Sequence, residues 1–166
     1  MAGVFYVTIV ARKQGQFKGE STRAAAKGKL EGLTFVSEVS SPRDAASGMA
    51  TGRRMHSPVM FTKRWGAASP QLFQAAVTNE VLKSVLFEFL ATDKAGKEHV
   101  FETVKLTNAT ISDVRRSLDE HTAEGARGID QVSLVLEDRG RRQRREDGRR
   151  RRLAHRLTAA GVSVVS

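Results

Sequence analysis

Apolar and polar residues alternate in steps of two over several stretches of this chain, the pattern of strands that turn one face to a core. In the stretch Val4 to Ala11, Phe5, Val7 and Ile9 fall on one face and Tyr6 and Thr8 on the other. Leu33 to Val39 predicts a second strand with Leu33, Phe35 and Val39 aligned. Arg53 to Arg64 predicts a third, with Val59 and Phe61 on one face and Pro58 marking an edge or a bulge within it. Val81 to Ala91 and His99 to Leu106 flank Asp93-Lys94-Ala95-Gly96-Lys97, a turn-forming set that makes them a hairpin. Two further strands are expected near Thr110 to Leu118 and Gln131 to Glu137.

One segment carries a helix signal. Ser69 is a capping residue followed by Pro70, and proline is tolerated at the first helical position because its missing N–H would be unpaired there anyway. The spacing predicts a helix over 70–78 that packs Leu72, Phe73 and Val77 against a sheet. The Gly-rich, basic stretch Lys13 to Lys29 reads as loop, and Ser40 to Gly52, without an apolar period, as a long exposed connection. Many short strands with one helix predict a mainly β fold, a β-barrel or β-sandwich with a flanking α-helix.

Composition changes this picture only at one end. Apolar residues make up 40% of the 166, with a mean hydropathy of -0.36, enough to bury a core. The net charge is +10, but residues 138–166 hold ten arginines against Asp138, Glu146 and Asp147, so seven of those charges fall there and three in residues 1–137. The expected organisation is therefore a domain over 1–137 and an arginine-rich tail over 138–166, with Leu153 and Leu157 spaced for a short helix between Arg149 and Ala160. The chain has no cysteine, which excludes disulfides, thiolate metal sites and cysteine nucleophiles. The apolar start is far shorter than the roughly 20 residues of a membrane span and has no basic region before it, so export is expected without a Sec-type signal and no membrane role is expected.

Catalytic chemistry finds no foothold. His56, His99, His121 and His155 are scattered without metal-site spacing, and no nucleophile elbow, P-loop or dinucleotide fingerprint is present. Glu88, Glu98 and Glu102 are read as the solvated face of the hairpin, and Asn108-Ala109-Thr110 as a chance glycosylation triplet within a strand. No catalytic residue, cofactor or metal is expected.

The segment Gly52-Arg53-Arg54-Met55-His56-Ser57-Pro58, followed by Phe61-Thr62-Lys63 and Ala68-Ser69-Pro70-Gln71-Leu72-Phe73, resembles the central signature of the haemolysin-coregulated protein (Hcp) family of bacterial type VI secretion systems. Lys18-Gly19-Glu20-Ser21-Thr22 is similar to that family's early K-G-E-S loop, Leu82-Lys83-Ser84-Val85 to its post-helix strand, and Phe101 to Ile111 to its later strand pair. The resemblance runs over residues 3–137. It implies a small β-barrel of two sheets with one flanking helix, a homo-hexameric ring that stacks into the inner tube of a contractile machine, and partners in a spike protein, a sheath and effectors carried in the lumen. It also implies a bacterial cytoplasmic protein that is secreted on firing. Beyond Gln131 to Glu137 the family's alternating, aromatic final strand gives way to arginine-rich sequence, which fits a changed reading frame and a genuine added segment equally.

A ring that also stacks needs two different contact surfaces on each copy. The exposed connection supplies the expected candidates, Ser47 and Gly48 within it and Arg53, Arg54 and His56 at its foot; the last three fit a solvated strand face equally well. Two other functions share the sequence: a nucleic-acid-binding protein acting through phosphate contacts of the tail, and the tube protein of a phage-tail-like particle.

Overall fold

The computed structural model describes residues 5–52, 55–119, 127–136 and 162–165. Among these residues the strands are β1 (Phe5–Ala11), β2 (Gly15–Gln16), β3 (Leu30–Val36), β4 (Val39–Ser40), β5 (Met55–His56), β6 (Val59–Arg64), β7 (Leu82–Thr92), β8 (Glu98–Asp119), β9 (Arg127–Leu136) and β10 (Val162–Val165), with one α-helix, α1 (Ser69–Val77). Six of them, β7–β1–β3–β6–β9–β8, pair antiparallel in that order, and β8 returns to β7, closing a barrel. A separate two-stranded sheet is formed by β4 and β5.

Register shows how the barrel closes. Glu102 faces Phe89, Phe89 faces Phe5, Phe5 faces Gly32, Gly32 faces Lys63, Lys63 faces Asp130 and Asp130 faces Arg116, so one circuit re-enters β8 far along from where it left. A closed sheet with that much stagger has steeply tilted strands, and one strand must be long enough to meet both neighbours. That strand is β8, 22 residues long, expected from sequence as two separate strands. It changes partner where Asn108 takes a left-handed φ of 55° and where its pairing slips between Ile111 and Asp113.

Inside lie Phe5, Val7, Ile9, Phe61, Val85, Phe87, Leu106, Val132 and Leu134, the alternate positions that β1, β6, β7, β8 and β9 turn inward. Phe5, Phe35, Phe61, Phe87 and Phe89 form a chain of tilted and edge-to-face contacts with ring centroids 4.9–6.1 Å apart. Gly32 is required here, since a Cβ on it would lie 2.0 Å from the Phe5 ring.

Three sequence expectations are corrected. Leu33, 41% exposed, and Val39 do not share the inward face with Phe35: β3 pairs irregularly with β6 between Gly32 and Thr34, which puts Leu33 out of step, and Val39 belongs to the separate hairpin sheet. The helix begins at Ser69 with Ala68 as its cap residue, so Ser69 does not cap it. Its buried stripe is Ser69, Leu72 and Ala75, whereas Phe73 and Val77 are 49% and 70% exposed. Of the three residues expected to pack, only Leu72 does; the i, i+3, i+6 row of one large and two small side chains is what lets α1 lie close to the sheet, and the bulky neighbours are turned out.

The Asp93–Lys97 turn forms as expected, with Asp93 Oδ1 accepting from Ala95 N and Lys97 N and with Gly96 at φ 79°. At the other end of the chain, β10 lies antiparallel to β8, Val162 facing Leu106 and Val165 facing Thr103, outside the six-strand circuit. The boundary expected at 137/138, the helix expected between Arg149 and Ala160, and His121, His155, Arg53 and Arg54 lie outside the described residues.

Candidate assembly surfaces and the buried ion row

Lys63 occupies an inward position of β6, two residues after Phe61 and four after Val59, and its side chain is 0% exposed. A buried ammonium is costly unless oppositely charged and hydrogen-bonding groups surround it. Its cross-strand partner Asp130 supplies one carboxylate, 3.8 Å from Nζ, and Glu20 from the loop before β3 supplies another at 3.3 Å. Lys63 also donates to the Arg64 carbonyl and, at 3.3 Å, to Ser69 Oγ. Ser69 Oγ in turn donates to Asp130 and accepts the Gly66 N–H at 3.0 Å. On the far side of β9, Arg116 Nε donates to Asp130 Oδ1 at 3.1 Å. Lys63, Asp130 and Arg116 are thus one cross-strand row, and Glu20 and Ser69 tie the row to the early loop and to α1.

The row ends at the surface in an aromatic clamp. The Arg116 guanidinium carbon sits 5.9 Å from the Trp65 ring centre and 5.6 Å from that of Phe73, which explains the outward turn of Phe73. Trp65 lies flat on Gly128, where any Cβ would come within 1.9 Å of the indole. Beside it Glu20, Glu31, Leu33, Arg64 and Trp65 line a groove of about 190 Å³, smaller than the roughly 300 Å³ at which small-molecule pockets begin.

A second fixed carboxylate stands at the other end of α1. Glu80 is buried and accepts from Lys13 N, Gln14 N at 2.9 Å and Gln14 Nε2 at 3.0 Å. Burial, the largest single influence, pushes its carboxyl up, but the hydrogen bonds from Gln14 and Lys13 together outweigh it and hold the group below its ordinary range. It pins the β1–β2 turn to the start of β7.

The connection expected over Ser40 to Gly52 is an ordered, exposed hairpin. Val39 faces His56 and Ser40 faces Met55 at its base, and Arg43 bridges Ala50 farther out. Ser47 and Gly48 make its tip: Ser47 N and Oγ donate to Asp44 Oδ1 at 2.7 and 3.1 Å, and Gly48 adopts φ 67° with its N–H on the Asp44 carbonyl. The Ser47 N–H, then the Ser47 hydroxyl and the Ala46 N–H hold the Asp44 carboxyl below its ordinary range. His56 is exposed at the base. Val39, Met49 and Met55 are exposed on the same hairpin, so it presents apolar side chains with no core beneath them.

Two of the three expected hairpin-base contacts, Arg53 and Arg54, lie outside the described residues, and the structure brings Ser47, Gly48 and His56 onto one arm without joining them in a single cluster. Among the described residues no three His, Cys, Asp or Glu side chains gather where a metal could be held. Glu88 and Glu98 face basic partners, Lys29 and Arg23, across strands and loop. Sequence reasoning quoted Glu20 and Lys63 as parts of a signature without assigning them a task, read Ser69 as a helix cap, and missed Asp130 and Arg116; the available signal was a lysine in register with Val59 and Phe61.

The family described as "Type VI secretion system effector, Hcp" matches residues 6–138. A Pseudomonas aeruginosa relative named "Major exported protein" is 32% identical over 124 residues, covering 69% of this chain and 72% of its own. The structure of the Hcp1 protein from the E. coli EAEC 042 pathovar superposes with a TM-score of 0.70 at 27% identity, covering 79% of this chain and 85% of that one. The fold is shared as well by another Hcp protein, with a TM-score of 0.72 at 23% identity over 80% of this chain and 87% of that one. With a closed six-strand barrel, one short helix and a signature whose distant parts meet in one ion row, the chain belongs to the Hcp family of type VI secretion tube proteins.

Proposed function

We propose that this chain is the repeating subunit of a type VI inner tube, six copies closing a ring, rings stacking with one another, and effectors travelling in the lumen to be expelled with a spike. The exposed β4–β5 hairpin carries the reading. An 18.2 kDa barrel that has already closed its own sheet has no internal use for an ordered arm with Val39, Met49 and Met55 facing solvent. Exposed apolar groups on a rigid element fit a contact with another copy. The ring supplies one contact and the stack a second, the arm serving one of them and a different face its complement.

Light scattering across a wide concentration range tests this directly. A mass near six protomers of 18.2 kDa, with annular particles by negative-stain microscopy, is the expected result. Monomer at every concentration removes the tube function.

A further inference from the structure

The barrel itself has no open edge, because its sixth strand returns to its first. β10 is attached outside that circuit. From Thr103 to Leu106, β8 has β7 on one side and β10 on the other, since β9 joins β8 only from Ala109 onward. Among the described residues β10 pairs with nothing but β8, so within them its far side has no strand partner. Such edges accept strands from other chains unless charge, proline or shortness protects them.

Several other described edges are protected in one of those ways. β2 is two residues long. β8 from Glu98 to Phe101 starts with a glutamate and a histidine, and β7 past Phe89 has only Leu90, Ala91 and Thr92 before Asp93. β10 reads Val162-Ser163-Val164-Val165, four residues without charge or proline.

We infer that the outer edge of β10 is a subunit contact, to which a second copy of this chain adds a strand by backbone pairing. The β4–β5 hairpin is the element of that copy which fits: it projects from its own barrel, it has outer edges of its own, and it exposes Val39 and Met55 beside them. Pairing one copy's β10 with the next copy's hairpin joins two different surfaces, the head-to-tail arrangement a ring requires. The inference rests on the tube reading for its choice of partner and makes the last strand, not only the hairpin, part of the interface.

The test uses the full chain. Hydrogen exchange of the C-terminal peptide is compared between the dilute, dissociated protein and the assembled one. Amides within Val162–Val165 that face away from β8 are expected to gain protection on assembly. Ser163→Pro and Val164→Pro, made separately, give the second arm. Successive N–H groups of a strand point to opposite sides, so one proline removes a bond to β8 and the other an outward one. The variant that keeps the parental melting temperature is expected to need at least about tenfold higher concentration to assemble, about 1.4 kcal/mol per contact. Six-membered rings with no gain of protection in β10 sink this inference and leave the tube reading standing. Protection gained in particles that are not rings of six keeps the edge contact and removes the tube. A chain that remains monomeric overturns both.

Discussion

Replacing Asp130 by Asn probes the ion row with little change of shape. The amide oxygen can keep the Arg116 contact made at Oδ1, but the NH2 that then replaces Oδ2 cannot accept from Ser69, and the charge 3.8 Å from the fully buried Lys63 ammonium is gone. Breaking a buried pair from one side costs about 3–5 kcal/mol. The remaining countercharge is Glu20 at 3.3 Å, whose side chain is 34% exposed and therefore partly screened, so the expected loss is at the lower end, about 3 kcal/mol. With urea slopes of about 1–3 kcal/mol per molar, the midpoint should fall by roughly 1–3 M. Lys63→Met removes the ammonium and keeps most of the stem's packing, so in the double variant Asp130→Asn should do far less harm, with a coupling of at least about 1 kcal/mol between the two sites. Urea titrations of the four proteins at one protein concentration complete the cycle. A midpoint for Asp130→Asn within about 0.5 kcal/mol of the parent, or independent effects of the two changes, would refute the claim that the row holds this end of the barrel.

The remaining expectations concern single positions and the tail. Leu72→Ala should cost about 2–5 kcal/mol, whereas Phe73→Ala should cost about 1 kcal/mol, the loss of its contact with Arg116; a reversed order of melting temperatures would return Phe73 to the core. Gly128→Ala should destabilise by about 1–3 kcal/mol and quench or shift Trp65 fluorescence, because the indole must move off its glycine platform. Glu80 titrates lower in the folded than in the unfolded chain, so its contribution is complete above its ordinary value of 4.5 and is lost as pH falls through the lowered folded value. Glu80→Gln should accordingly flatten that part of the acid limb in a stability-against-pH curve. Deleting residues 138–166 removes β10 and ten arginines; the six-strand circuit should still fold cooperatively, with a reduced melting temperature and weaker retention on a heparin column. A truncated chain without a cooperative transition would make the tail part of the barrel.

How much of this was legible in the sequence depended on range. Alternation located β1, β6 and β7 because Phe5, Val7, Ile9, Phe61, Val85 and Phe87 obey a local rule that the barrel interior enforces. The Asp93–Lys97 turn was legible for the same reason, its hydrogen bonds closing within five residues. Leu33 misled because a slip in pairing with a strand more than twenty residues away decides which side of β3 it occupies, and Val39 because it belongs to the separate β4–β5 sheet. Phe73 misled because hydrophobicity favours burial of an aromatic ring, and nothing local announces that Arg116, over forty residues on, will offer that ring a cation at the surface. β8 was divided in two because its midpoint, Asn108, carries turn chemistry that the strand uses for a bend.

Most of the signature meets at the ion row, whereas the proposed assembly surface shares only Met55 and His56 with it, and physics gives the reason. Glu20, Lys63 and Ser69 come from three separated motifs, yet their side chains meet within 3.3 Å around one ammonium. A buried charge tolerates few substitutions in its neighbours, since each partner removed leaves an uncompensated group, so a barrel closed in this way fixes residue types at several distant points at once. The hairpin tip works under another constraint. Ser47, Gly48 and Asp44 need only make a tight turn, which Gly48 at φ 67° and the Asp44 carboxylate accomplish locally, and their outward surface is left to whatever it meets. Family membership could therefore be read from the motifs that close the fold, while the tube contacts proposed above depend on edges such as β10 and the β4–β5 hairpin. An unpaired edge is a property of the backbone. It leaves little trace in the residues themselves, and becomes visible only once the pairing of every other strand is known.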